Sequence, residues 1–280
     1  MQYSLFEKYK NFILKYRSRI VFFLSVLMLV VLMCCFHDGY STHLESEAFG
    51  EIQNFISKIE SRDKDIYNKL VVDIVPKNVK GIDVSEWQGD IDWDKVKESG
   101  IDFVMIRCGF RNLSNEEIIE DAKFRYNISE ANRLGIPVGV YFYSTAINKK
   151  EALEEATFVL NLVKDYDVIY PIAYDFELFN QKRTTGVSDK VINDNAIYFL
   201  DYIRSHGYHG MLYSNLRALN NHWNLEKFLG YNLWYAQYID MATYEGEYAM
   251  WQYADNGRVD GITGNVDLNE GYFAYEVIDS

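Results

Sequence analysis

The residues best suited to chemistry are two carboxylates one position apart, Asp175 and Glu177, in the run Tyr174-Asp175-Phe176-Glu177. On a β-strand both side chains point to one face, with Cα atoms roughly 6–7 Å apart. One carboxylic acid can protonate a leaving oxygen while the other steadies positive charge or activates an attacking group, which is what glycoside hydrolysis requires. Neighbouring carboxylates raise each other's proton affinity, so a pair supplies both forms. Alone, a D-x-E pair serves equally well as a helix cap or half of two salt bridges.

Other carboxylates join them. Asp83 closes Gly81-Ile82-Asp83-Val84-Ser85, and Asp267 lies in Asn265-Val266-Asp267-Leu268-Asn269. From Val79 onward, β-rich runs alternate with helical stretches: 81–84, 102–107, 137–143, 171–177, 210–213, 233–238, 249–253 and 265–268. Eight strands in about 200 residues predict one α/β domain over 79–280, a TIM-like (β/α) barrel. Helices are expected near 117–134, 148–164 and 189–206, with Gly135 and Gly207 as C-terminal stops and Ser188 as an N-cap. Later connections are too short for helices, so the barrel is irregular and its helix ring incomplete. First and eighth strands adjoin in a closed barrel, so Asp83, Asp175 and Asp267 converge on one mouth. Uncompensated negative charge there costs stability and marks function.

Tyr141, Tyr143, Tyr213, Trp234, Gln237 and Trp251 fall at or near predicted strand ends. Aromatic faces pack on sugar rings and phenols donate hydrogen bonds, but each of these side chains can equally fill the core. Arg107 ends the second strand, placed to touch substrate or offset the local charge, and its neighbour Cys108 reads as a buried thiol. Histidines 37, 43, 206, 209 and 222 show no metal-ligand spacing, and no phosphate loop or nucleophile elbow is present. No metal or cofactor is expected. A formal charge of −13 excludes nucleic acid as a partner.

The N-terminal third reads differently. Residues 1–19 form a basic cytoplasmic tail, and 20–36 (IVFFLSVLMLVVLMCCF) are uncharged and apolar enough for a transmembrane helix. The flank after Cys34 and Cys35 lacks the small residues of a cleavage site, so the span is expected to be retained. All the basic residues of the first 36 precede it, which places the rest of the chain outside the membrane. Over 37–78, apolar residues from Leu44 to Leu70 recur largely at three- and four-residue spacing, predicting an amphipathic stalk that self-associates or packs on the domain.

Residues 80–270 resemble the glycoside hydrolase family 25 lysozymes, the Chalaropsis-type muramidases. The motifs that carry the resemblance are Gly81-Ile82-Asp83-Val84-Ser85-Glu86-Trp87-Gln88-Gly89 with Ile91-Asp92-Trp93, Tyr174-Asp175-Phe176-Glu177, Leu233-Trp234-Tyr235-Ala236-Gln237-Tyr238, Trp251-Gln252-Tyr253 and Gly264-Asn265-Val266-Asp267-Leu268-Asn269. The resemblance implies hydrolysis of the β-1,4 bond between N-acetylmuramic acid and N-acetylglucosamine in peptidoglycan. It implies Glu177 as general acid, Asp175 as the partner carboxylate that steadies the substrate's acetamido group, and Asp83 and Asp267 as further active-site aspartates. A membrane tether implies local wall remodelling. The competing expectation is a membrane-tethered wall-binding module that lacks turnover.

Overall fold

The computed structural model describes residues 72–277. The predicted transmembrane helix and the stalk up to Leu70 lie outside these residues. Among the described residues no helix is long and apolar enough to cross a membrane.

All eight predicted strands form, and one more joins them. They are β1 (Val72–Val84), β2 (Phe103–Arg111), β3 (Ile118–Glu120), β4 (Val138–Tyr143), β5 (Ile172–Asp175), β6 (Gly210–Asn215), β7 (Asn232–Ala236), β8 (Met250–Gly257) and β9 (Val266–Val277). The sheet order is β1-β9-β8-β7-β6-β5-β4-β2-β3, and pairing of β1 with β2 closes a barrel of eight strands. The short β3 adds to β2 from outside the ring. β1 begins within the stretch assigned to the stalk, and its pairing with β9 shifts register just after Pro76.

One strand departs from the parallel arrangement of a regular (β/α) barrel. β9 runs antiparallel to both β1 and β8. Antiparallel neighbours need only a turn, so the short connection from Gly257 to Val266 suffices where a parallel strand would demand a crossover helix. Asp267 therefore stands at the beginning of its strand, opposite Asp83 in register. Its reversed direction brings it to the mouth where the parallel strands end.

Five α-helices are described: α1 (Trp93–Glu98), α2 (Phe124–Arg133), α3 (Lys149–Val163), α4 (Asp189–Ser205) and α5 (Leu216–Asn221). Ser188 caps α4 by accepting from the Val191 N–H, as Asn148 caps α3 through the Glu151 N–H. Gly135 and Gly207 follow α2 and α4 at φ 62° and 86°, the left-handed turn that glycine enters without a Cβ penalty. The helix predicted from residue 117 begins only at Phe124, because Ile118–Glu120 pair with β2 instead.

Strand alternation sorts the core into two layers. Ile82, Val104, Tyr174, Leu212 and Tyr235 face the helices, whereas Phe103, Met105, Ala173, Met211 and Trp234 fill the barrel. The barrel floor is closed by Phe103 stacked on Tyr170, ring centres 4.8 Å apart. Gly81 is required there, since a Cβ would lie 2.2 Å from the Phe103 ring.

Candidate active site

Asp83 follows Gly81 with interior parity and is 4% exposed. Its Oδ2 accepts from Gln252 Nε2 and Asn269 Nδ2, both at 2.8 Å. Asn269 Oδ1 in turn accepts from Trp234 Nε1 at 2.8 Å, and Gln252 Oε1 accepts from the phenols of Tyr213 at 2.9 Å and Tyr238 at 3.0 Å. Four side chains from β6, β7, β8 and β9, joined by Tyr238 just beyond β7, thus fix the one carboxylate on β1. Burial drives the Asp83 carboxyl well above the usual carboxylate range; the charge of Asp267 adds to this and the two amide donors oppose it. Asp267, less buried, is raised by desolvation and pulled back by its hydrogen bond with Asp83.

Asp175 ends β5 and is 5% exposed, and its Oδ1 has no hydrogen-bond partner within the protein. Desolvation raises its carboxyl well above the ordinary range, then the charges of Glu177 and Asp83; Arg107 opposes them. Glu177 stands two residues beyond the strand, not on it as the sequence suggested. Alternation nevertheless continues: the rings of Tyr174 and Phe176 lie nearly parallel, 2° apart, in the helix-facing layer, leaving Asp175 and Glu177 on the opposite side. Glu177 is open to solvent along part of its length, yet the surrounding protein and then Asp267 raise its carboxyl.

The structure brings four more predicted residues to this group. Tyr143 pairs in register with Asp175, and burial followed by the charges of Asp175 and Glu177 raises its phenol. Tyr141 lies one step deeper, edge-on to Trp234 at 5.8 Å, with the charge of Asp83 raising its phenol after burial. Tyr213 meets Trp234 edge-on at 4.9 Å. Arg107 is not free for substrate: Nε donates to Asp121 at 2.7 Å and Nη2 to Glu86 at 3.0 Å. From there its charge still opposes the raising of Asp175.

Three candidates occupy different places from those expected. Trp234 is 1% exposed, enclosed in the barrel with no face open for a sugar. Trp251 packs in the helix-facing layer and donates its indole N–H to the Gln237 carbonyl at 2.9 Å. The Gln237 side chain bonds to Tyr235 and Thr243, away from the carboxylates. Conversely, Gln252, Asn269 and Tyr238 belong to the site although none was singled out. Alternation held the signal: Asn269 must share the face of Asp267, and Gln252 must oppose that of Trp251.

Fold and site together define an α/β barrel built for carboxylate acid–base chemistry at the end where most of its strands terminate. Residues 82–262 match the glycosyl hydrolases family 25, and the chain belongs to that family. It is 28% identical over 193 residues to the autolytic lysozyme of Clostridium acetobutylicum, covering 69% of this chain and 55% of that protein. The chain thus spans about half the length of that relative. Among solved structures, the modular autolysin LytC from Streptococcus pneumoniae, determined with a synthetic peptidoglycan ligand, superposes with a TM-score of 0.62 at 31% identity, over 70% of this chain and 47% of LytC. A family 25 glycosyl hydrolase from Bacillus anthracis shares the fold, with a TM-score of 0.59 at 21% identity over 69% of this chain and 88% of that one.

Proposed function

We propose that the protein is a peptidoglycan muramidase, with Glu177 as the general acid and Asp175 as the carboxylate that engages the acetamido group of the substrate. The observation that carries this reading is the buried, unpartnered Asp175 Oδ1 beside the more accessible Glu177. A buried acceptor without a donor costs free energy, about 1–3 kcal/mol or more for a charged group. An acetamido N–H supplies the missing donor.

This pairing also moves the proton where it is needed. In the free enzyme burial raises both carboxyls, and the charge of Glu177 adds to the raising of Asp175. A substrate N–H on Asp175 favours its ionised form, and the negative charge so created raises the proton affinity of Glu177. Glu177 then protonates the glycosidic oxygen as Asp175 steadies the group developing at the anomeric carbon. Asp83 and Asp267 add two further acidic groups to the site of the positive charge that forms there, and Gln252 and Asn269 hold Asp83 in place.

The apolar run 20–36 supports an anchor that leaves the domain outside the membrane, with the 44–70 stalk self-associating or packing on it, and action confined to nearby wall. Protease accessibility in intact cells tests the topology. The activity is tested with the full chain in detergent on purified peptidoglycan: muramic-acid reducing ends are expected, and Glu177→Gln removes them while leaving the melting transition. Tight glycan binding without products would instead define a wall-binding module.

A further inference from the structure

Among the described residues, the non-glycine positions with left-handed backbone are Glu116, Asn180 and Lys182, at φ 64°, 52° and 50°. Such a backbone disfavours a side chain and persists where the surroundings dictate it, which is common beside functional groups. All three lie in two loops. One, 112–117, joins β2 to β3; the other, 176–188, joins β5 to α4 and carries Glu177.

A single side chain bridges them. Arg183, its side chain 7% exposed, forks onto Glu151 with Nη1 to Oε2 at 3.0 Å and Nη2 to Oε1 at 3.1 Å. Nη2 also pairs with Glu116 Oε1 at 3.2 Å, and Nη1 donates to the Thr145 carbonyl at 3.1 Å. Glu151 is itself fixed in the first turn of α3, where its Oε2 accepts from the Ile147 N–H at 3.1 Å. Arg111 repeats the arrangement one layer down: Nε donates to the fully buried Glu155 at 2.7 Å and Nη1 to the Glu116 carbonyl at 2.8 Å. Glu155 takes the Ser144 hydroxyl at 2.6 Å, and the Ser144 N–H donates to the Asp175 carbonyl at 2.7 Å.

The cluster therefore reaches the backbone of Asp175 from one side and the loop of Glu177 from the other. Buried ion pairs rarely stabilise a fold more than apolar packing would. What the planar guanidinium fork supplies is a fixed direction. The geometry points to Arg183 as a positioning residue: its fork on Glu151 holds the 176–188 loop in the conformation that sets Glu177 against the glycosidic oxygen. This inference rests on the glycosidase reading, and it assigns Arg183 no contact with substrate.

Steady-state kinetics of the full chain on peptidoglycan test it, with wild type, Arg183→Met and Arg183→Lys compared. Misplacing a catalytic group by about 1 Å can cost on the order of 100-fold. Arg183→Met is therefore expected to lower kcat about 10- to 100-fold with KM changed less than about threefold. Arg183→Lys, which keeps the charge and loses the fork, is expected to fold and to fall between the two. An unchanged kcat in either variant, a rise in KM alone, or a loss matched by the unfolded fraction measured by circular dichroism would overturn the assignment. A wild-type chain that releases no reducing ends overturns the glycosidase reading itself, whereas an active wild type with an undiminished Arg183→Met removes only the role of Arg183.

Discussion

Replacing Asp83 by Asn tests how the cluster is held. Both amide donors, Gln252 Nε2 and Asn269 Nδ2, converge on the same oxygen, Oδ2. An asparagine amide oxygen in that position keeps both bonds, and its NH2 takes the place of the other oxygen. The change thus deletes a charge without orphaning a partner. Two like charges about 4 Å apart repel by about 4 kcal/mol at an effective dielectric near 20. A shared proton relieves part of this in the native pair, so we expect about 1–3 kcal/mol of stabilisation in mildly alkaline buffer, or roughly 3–10 °C in Tm for a domain of this size. The sign with pH follows from linkage. The folded-state pKa of Asp83 is raised, so its contribution to stability is present at low pH and is lost as pH rises through that raised value. Asparagine does not titrate, and the advantage of the variant should grow from near zero in acid to its full value as pH rises through that raised value. Differential scanning calorimetry across that range measures it. A variant less stable than wild type at pH 8, or equally stabilised at every pH, would refute the view that charge repulsion dominates this site.

Glu155 gives a second pH test: burial raises its carboxyl to about 7, against opposition from Ser144 and Arg111. Its contribution is full below the ordinary glutamate value and disappears as pH rises through about 7, so Glu155→Gln should flatten the Tm profile across that window while leaving acid stability unchanged. The barrel floor is tested by Gly81→Ala, whose Cβ would meet the Phe103 ring at 2.2 Å. A loss of about 2–4 kcal/mol in urea unfolding is expected, and pairing it with Phe103→Leu should recover part of that loss.

The strands were legible because each is a short β-rich run ended by glycine, proline or a polar residue, and because a closed barrel buries both faces. Two features were hidden for physical reasons. The direction of β9 depends on the length of the turn before it, and eight residues suit a hairpin as well as a loop into a parallel strand. The segment at 118–120 has helical spacing, and only pairing with β2, a tertiary contact, makes it a strand. Within the site, the carboxylates were legible because so much acid at one mouth lacks another explanation. Trp251 and Gln237 were misplaced because proximity to a strand end says nothing about parity, and parity decides which face of the sheet a side chain joins. Arg183 gave no local signal, since its partners are 32 to 67 positions away in the chain.

The choice of partner for each carboxylate follows from what that carboxylate must do. Around the mouth, the groups that bond Asp83 are neutral amides, and Arg107 is held back on Asp121 and Glu86. A guanidinium bonded directly to Asp175 or Glu177 would favour the ionised form and strip the site of the proton it has to donate. Amides fix geometry through dipoles and leave the proton in place. Behind the mouth, where Glu151 and Glu155 have only to hold structure in position, the partners are arginines, Arg183 forked on Glu151 and Arg111 bonded to Glu155 through Nε. The same residue type is thus used in two electrostatic settings, separated by a strand and a helix turn. Exchanging them would fail in both directions: an arginine at Gln252 would neutralise the acid pair, and a glutamine at Arg183 would take the forked partner from half-buried Glu151 and leave it only the countercharge of Arg111 at 4.0 Å.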